Sequence, residues 1–203
     1  RDGALHCDRL PLRDLAAAYG TPTFVYSADA IDAAYDALAA AIPSPCLVAY
    51  AVKANGNLAI LRRLAARGCG ADIVSGGELR RCRAAGLDPR RVVFSGVGKA
   101  DWELAEALDA GVRAIHVESV PELDALEAIA RQRGVVAPIS LRVNPDVDPE
   151  THPYIATGLH DTKFGLEIDV ARGLLPRLVG SEHLRLEGVA CHIGSQLESA
   201  TPM

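Results

Sequence analysis

Short apolar runs alternate with helical patterns along most of the chain. Runs typical of buried strands occur at 46–52, 71–74, 92–94, 114–117, 139–143 and 186–191. The intervening segments place apolar residues at helical spacing, at 58–66, 78–85, 101–109, 121–131 and 170–179. Strands that are apolar on both faces and are followed by helices are typical of parallel sheets. The pattern therefore predicts an α/β fold built from repeated βα units.

The ends of the predicted helices carry recognisable signals. Ser75 and Glu78 fit a capping box directly after a strand, and Ser119 and Glu122 repeat the arrangement. Glycines follow the expected ends of four helices, at Gly68, Gly86, Gly111 and Gly134. An earlier helix is predicted at 28–41 with Ser27 as its N-cap, behind an extended segment at 23–26.

Two architectures fit this alternation of strands and helices, a doubly wound open sheet and a (β/α)₈ barrel. A doubly wound sheet usually has a glycine-rich phosphate turn of the form G-x-G-x-x-G, and the sequence contains none. We therefore favour a (β/α)₈ barrel, which takes about 250 residues for eight units. The 203 residues supply about six such units. A barrel with six of eight strands leaves unpaired edges, so we expect the chain to be the front part of a longer protein.

One connection has neither a strand nor a helical period. Residues 144–165 include three prolines, and a loop of this length inside a compact domain is usually functional. His152, His160 and Asp161 lie in it, but they lack a compact ligand spacing, so no metal site is predicted.

Composition narrows the class of protein. Hydrophobic residues make up 49% of the chain, which is too many for a disordered protein, and no apolar stretch reaches membrane-spanning length. The net charge of −5 argues against nucleic acid as a partner. The five cysteines are widely spaced and form no C-x-x-C pair, which indicates reduced thiols and a cytoplasmic protein. No signal peptide is predicted, because the first ten residues lack an apolar core.

Candidate chemistry lies where the predicted strands end. Barrel enzymes carry their active sites at the carboxyl ends of the strands. Six strand ends bring chemically active side chains to that rim: Lys53, Asp72, Ser75, Ser95, His116, Glu118, Arg142, Asn144, His192 and Ser195.

Lys53 is the most specific of these candidates. Only three of the 21 basic residues are lysines, and Lys53 directly follows an apolar strand. We expect burial to lower the pKa of its ammonium, which would supply the neutral amine that Schiff-base formation needs. The alternative is a lysine that extends from a strand end into solvent.

Arg142 and His192 are less specific. An arginine inside the apolar run 139–143 needs an anionic partner, which is either a phosphate or carboxylate ligand, or Asp72 or Glu118. His192 can face the barrel mouth, with Gly194 and Ser195 beside an anion, although a histidine at a strand end is often only hydrogen-bonded.

Several motifs together resemble a known family. The segments YAVKAN at 50–55, GADIVS at 70–75 and LRVNP at 141–145 resemble the fold-type III pyridoxal-phosphate-dependent decarboxylases. The segments KFG at 163–165 and CHIGSQ at 191–196 are most similar to those members that act on meso-2,6-diaminopimelate. The similarity extends over essentially the whole chain, with the motifs in the same order.

The resemblance implies a pyridoxal-phosphate-binding barrel of the alanine-racemase type, present only in part. It implies decarboxylation of meso-2,6-diaminopimelate to L-lysine by a homodimer. Lys53 matches the lysine that carries the cofactor, His192 the histidine stacked on its ring, and Ser195 a hydroxyl at its phosphate. Further positions match residues that line the cofactor pocket: Ala51, Asp72 and Arg142.

The resemblance also implies what lies outside the chain. Family members continue with a glycine-rich phosphate loop and a C-terminal β domain, neither of which is in this sequence. We expect residues 1–27 to join that domain and 28–203 to form the partial barrel, and we expect this segment alone to be inactive. Alternatives are an ornithine- or arginine-type decarboxylase, a racemase of the same fold, a barrel aldolase using Lys53, and a non-catalytic homologue that binds a partner protein.

Overall fold

The computed structural model describes residues 3–145 and 164–194, and the chain divides into two compact units, Arg1–Val48 and Ala49–Met203. In the first unit, β1 (His6–Cys7) and β2 (Leu10–Pro11) pair in antiparallel fashion. Helix α1 (Leu12–Tyr19) follows, and then α2 (Ala28–Ala41).

Within this first unit the sequence predicted one helix and missed another. Helix α2 has the predicted bounds, and its N-cap is confirmed because the hydroxyl of Ser27 accepts the backbone N–H of Ala30 at 3.0 Å. The hairpin and α1 were not predicted. Segment 23–26 is not part of a strand, and the stacked rings of Phe24 and Tyr26, 6.4 Å apart, are exposed. The domain boundary at 27/28 stays a prediction.

The second unit consists of alternating strands and helices. Its strands are β3 (Ala49–Ala51), β4 (Gly70–Ile73), β5 (Val92–Phe94), β6 (Ala114–Val117), β7 (Ala137–Asn144), β8 (Leu166–Glu167) and β9 (Leu184–Ala190). Its helices are α3 (Leu58–Ala66), α4 (Gly76–Ala84), α5 (Asp101–Ala110), α6 (Val120–Arg133) and α7 (Ile168–Gly180). Short 3₁₀ turns cover Val52–Ala54 and Pro89–Arg91.

The strands of this unit form one parallel sheet. Neighbouring strands follow the order β3, β4, β5, β6, β7, β9, and the short β8 pairs with the last residues of β7. Six of these strands are neighbours in the order of the chain, and a helix precedes each of them after the first. This order confirms the predicted βα repeat. The register sets Ala51 opposite Asp72, His116 opposite Ser140, and Arg142 opposite Ala190.

The hydrophobic core lies between the sheet and the helices that cover it. Its largest fully buried side chains come from both layers, for example Phe94 and Ile73 from strands and Leu61 and Leu104 from helices. Burial of both element types holds the strand ends in fixed positions. Among the described residues, no helix has the length and apolar character needed to cross a lipid bilayer.

The predicted capping boxes are present in a modified form. The hydroxyls of Ser75 and Ser119 accept the N–H groups of Glu78 and Glu122, at 3.2 and 3.3 Å. Each glutamate, however, reaches one residue further back than predicted. Glu78 accepts the N–H of Val74 at 2.7 Å, and Glu122 accepts that of Glu118 at 3.4 Å. The helices α4 and α6 are thereby tied to the strands that precede them.

Candidate functional site

The carboxyl ends of the parallel strands carry the predicted site residues. Asp72 lies in β4, His116 in β6 and Arg142 in β7, while Ser95 directly follows β5. Lys53 follows β3, and His192 follows β9. Hydrogen bonds join several of them, and the charges of Lys53, Asp72, Glu118 and Arg142 all act on the His192 imidazole. The fold therefore gathers these side chains at one edge of the sheet.

Lys53 is placed differently from the expectation. Strand β3 ends at Ala51, and Lys53 lies in the following 3₁₀ turn with its side chain exposed. The expected desolvation of the ammonium is therefore wrong for this structure, and the amine is instead accessible. The turn is anchored by Val52, which is 1% exposed, and by the Tyr50 hydroxyl, which donates to the Asn55 carbonyl at 3.3 Å.

Arg142 forms a buried ion pair with Glu118. Its guanidinium Nη1 donates to Glu118 Oε1 at 2.7 Å, and the two side chains are 11% and 1% exposed. The same oxygen accepts the N–H of Gly96 at 2.7 Å. The guanidinium also lies 5.5 Å from the centre of the Phe164 ring. Of the protein partners considered for Arg142, Glu118 is the one observed, and it fixes the cation in place.

A second buried ion pair, which the sequence did not predict, lies beside the first. Lys99 Nζ donates to Glu122 Oε1 at 2.7 Å and to the carbonyls of Gly96 and His116 at 2.6 and 2.8 Å. Burial raises the pKa of Glu122, and the cationic Lys99 opposes that shift. The scarcity of lysine was a signal for Lys99 as well as for Lys53. Lys99 ties the loop after β5 to the end of β6.

The Asp72 carboxylate is bound within the site. Ser95 Oγ contacts Asp72 Oδ1 at 2.5 Å and His116 Nδ1 at 3.0 Å. Neither contact was predicted, although all three residues were placed on the rim. They come from three neighbouring strands, so the contacts depend on the sheet order.

His192 lies at the exposed end of β9. Partial desolvation lowers the pKa of its imidazole, and the positive charges of Arg142 and Lys53 lower it further, against the opposing effects of Asp72 and Glu118. The ring is therefore neutral at pH 7. Ser195, Lys163 and the segment 146–163 lie outside the described residues.

Consecutive parallel βα units with polar side chains at the strand ends are the arrangement found in (β/α)₈ barrels. Residues 28–203 match the model of the pyridoxal-dependent decarboxylase family, pyridoxal binding domain. The chain belongs to this family.

Relatives and solved structures agree with that assignment. The chain is 52% identical over 203 residues to diaminopimelate decarboxylase of Pseudomonas aeruginosa, covering 100% of this chain and 49% of that one. The chain is 50% identical to the Vibrio cholerae enzyme of the same name, and the match covers 99% of this chain and 48% of that one. The structure of the Helicobacter pylori diaminopimelate decarboxylase, complexed with L-lysine, superimposes with a TM-score of 0.91 at 42% identity, covering 94% and 49%. The structure of the M. jannaschii diaminopimelate decarboxylase superimposes with a TM-score of 0.92 at 38% identity, and the match covers 100% of this chain and 49% of that one.

These findings confirm three predictions. The fold is a part of the pyridoxal-binding α/β barrel, and the chain belongs to the pyridoxal-dependent decarboxylase family. The cofactor of that family is pyridoxal phosphate. The chain spans about half the length of the curated relatives that it matches.

The described residues fit this cofactor. An aldehyde cofactor requires an accessible primary amine, which Lys53 supplies. The planar ring of such a cofactor can pack on a neutral imidazole such as that of His192. Among the described residues, Glu118 Oε2 is a buried carboxylate oxygen without a hydrogen-bond partner. A buried acceptor of this kind is costly unless a donor reaches it, so this site is suited to a polar ligand.

Proposed function

We propose that the polypeptide containing this chain decarboxylates meso-2,6-diaminopimelate to L-lysine and CO₂ with pyridoxal phosphate. The observation that carries the proposal is the 52% identity to a diaminopimelate decarboxylase across all 203 residues. An accessible lysine at the rim of the barrel supports it.

In this proposal Lys53 carries the cofactor covalently, and the face of the His192 ring packs on it. Ala51, Asp72, Arg142 and Ser195 line the cofactor pocket. Pyridoxal phosphate, when bound, accommodates the electron pair that CO₂ leaves behind. The chain's own residues bind and orient the reacting groups.

Arg142 supplies a fixed positive charge. Its guanidinium is bound to Glu118, which in turn is held by the backbone N–H of Gly96. A cation that is already oriented needs little reorganisation when an anionic phosphate or carboxylate approaches. The neutral His192 complements it, because an uncharged imidazole does not repel the neighbouring Arg142 cation.

We further propose that these residues alone do not turn over substrate. The chain spans about half the length of its relatives, and within the described region the strands β3 and β9 each have one neighbour in the sheet. A homodimer and a cytoplasmic location complete the proposal. All five cysteines are free thiols, which suits a reducing compartment.

The test is to incubate meso-2,6-diaminopimelate with a polypeptide extended to the length of the relatives, and to measure CO₂ and L-lysine. Lys53→Ala should abolish both products. Lys53→Arg should also abolish them, because it retains the positive charge but cannot attach the cofactor. Decarboxylation of ornithine or arginine instead would overturn the substrate assignment. Absence of any reaction together with absence of cofactor uptake would favour a non-catalytic protein.

A further inference from the structure

Three neighbouring strand ends are linked by a chain of two hydrogen bonds. Ser95 lies between Asp72 of β4 and His116 of β6, at 2.5 Å from Asp72 Oδ1 and 3.0 Å from His116 Nδ1. All three side chains are half-buried. The Ser95 backbone is fixed as well, since its N–H donates to the Ile73 carbonyl at 2.8 Å.

The direction of both bonds follows from the proton count. A carboxylate only accepts, so the single hydroxyl proton of Ser95 is donated to Asp72. Ser95 Oγ then has only lone pairs for His116, and His116 Nδ1 must carry a proton. The chain of donors runs from His116 through Ser95 to Asp72.

The surroundings of His116 decide whether its second nitrogen is also protonated. Burial lowers the pKa of the imidazole, the cations Lys99 and Arg142 lower it further, and Asp72 and Glu118 act in the opposite direction. Lys99 also donates to the His116 carbonyl at 2.8 Å, which holds the backbone of the histidine in place. The ring is therefore neutral at pH 7, and its Nε2 keeps a lone pair.

We propose that Ser95 and His116 are positioning residues for Asp72: His116, as the neutral Nδ1–H tautomer, holds Ser95 so that its hydroxyl fixes the Asp72 carboxylate. The Ser95 hydroxyl fixes the orientation of the carboxylate through its Oδ1 atom. This inference rests on the proposed function, which places Asp72 in the cofactor pocket. It adds Ser95, which contacts Asp72, and His116, which acts on Asp72 through Ser95.

The tautomer is tested by long-range ¹H–¹⁵N correlation of the histidine rings in the polypeptide that carries this chain. His116→Gln identifies the His116 signals. We expect the Nδ1–H tautomer at pH 7 in the wild type and in Ser95→Thr, which keeps the hydroxyl. Ser95→Ala should shift His116 toward the Nε2–H tautomer. A wild-type His116 in the Nε2–H form, or a pattern unchanged in Ser95→Ala, would overturn the inference.

The positioning role is tested by titrating pyridoxal phosphate into the same variants and following its visible absorbance. Ser95→Ala should bind the cofactor about tenfold more weakly, as expected when a hydrogen bond that orients a charged group is lost. Ser95→Thr should restore wild-type binding. Unchanged affinity in Ser95→Ala, despite an altered tautomer, would contradict the role.

Failure of the proposed function has a different signature. If the wild type binds no cofactor, the proposed function is wrong, and so is the link from Asp72 to the cofactor. The NMR pattern then still decides the tautomer and the hydrogen-bond direction, because neither depends on a bound ligand.

Discussion

At the scale of single residues, the site depends on charges buried beneath it. Glu118 holds Arg142, and Glu122 holds Lys99, with both carboxylates almost fully buried. The apolar run around Arg142 already indicated that the arginine needs an anionic partner. Lys99 and Glu122 were not predicted as a pair, because they are 23 residues apart and meet only through the sheet order.

Removing Glu118 should be costly. Glu118→Ala leaves the guanidinium of Arg142 buried without its carboxylate, and we expect a loss of about 3–5 kcal/mol in the free energy of unfolding. Urea denaturation measures it. Glu106→Ala is the matched control, because its partner Arg80 is 62% exposed, and it should cost about 1 kcal/mol or less. Equal losses in the two variants would contradict the importance of the buried pair.

The lowered pKa of His116 predicts a pH dependence of stability. The pKa of an unfolded histidine is about 6.5, and that of His116 in the folded protein is lower. Below about pH 6.5 the unfolded chain therefore binds a proton that folded His116 does not bind. The contribution of His116 to the free energy of unfolding is fully present above this pH and is lost as the pH falls toward the folded pKa. His116→Gln should reduce the slope of the urea midpoint between pH 7 and pH 5. His183→Gln removes another histidine of the same unit and serves as the control. A slope unchanged by His116→Gln would refute this prediction.

At the scale of elements, the starts of helices lock neighbouring βα units together. The backbone N–H of Gly76, the first residue of α4, donates to the carboxylate of Glu103 in α5 at 2.8 Å. The ring of Trp102, also in α5, lies directly against Gly76. Strand and helix positions follow from the apolar pattern, whereas this contact between two helices has no signal in the sequence.

Gly76→Ala should therefore displace the Trp102 ring. A Cβ at this position would lie 2.7 Å from a ring carbon, and the half-exposed ring can move away. Trp102 is the single tryptophan among these 203 residues, and the difference in fluorescence emission between each variant and the wild type reports a change around its ring. Gly77→Ala is the control, because its Cβ would meet only the Ser75 hydroxyl at 3.7 Å. Identical spectra for the two variants would argue against the contact.

At the scale of the whole molecule, the sequence predicted the parallel α/β order and six of the seven strands of the parallel sheet, but not β8. It also predicted that the candidate residues lie at the carboxyl ends of these strands. It missed the hairpin and α1, whose short elements carry few periodic positions. It also placed Lys53 in a buried environment, because the apolar run 46–52 does not reveal that the strand ends at Ala51. The hydrogen bonds among Asp72, Ser95 and His116 depend on three strands meeting, which no local pattern shows.

The proposed function depends on covalent attachment of pyridoxal phosphate to Lys53. The most direct measurement is borohydride reduction of the protein incubated with the cofactor, followed by peptide mapping with mass spectrometry. We expect a reduced phosphopyridoxyl group on Lys53 and its absence in Lys53→Arg. A folded protein with an unmodified Lys53, or with the adduct on Lys99 or Lys163 instead, would contradict it.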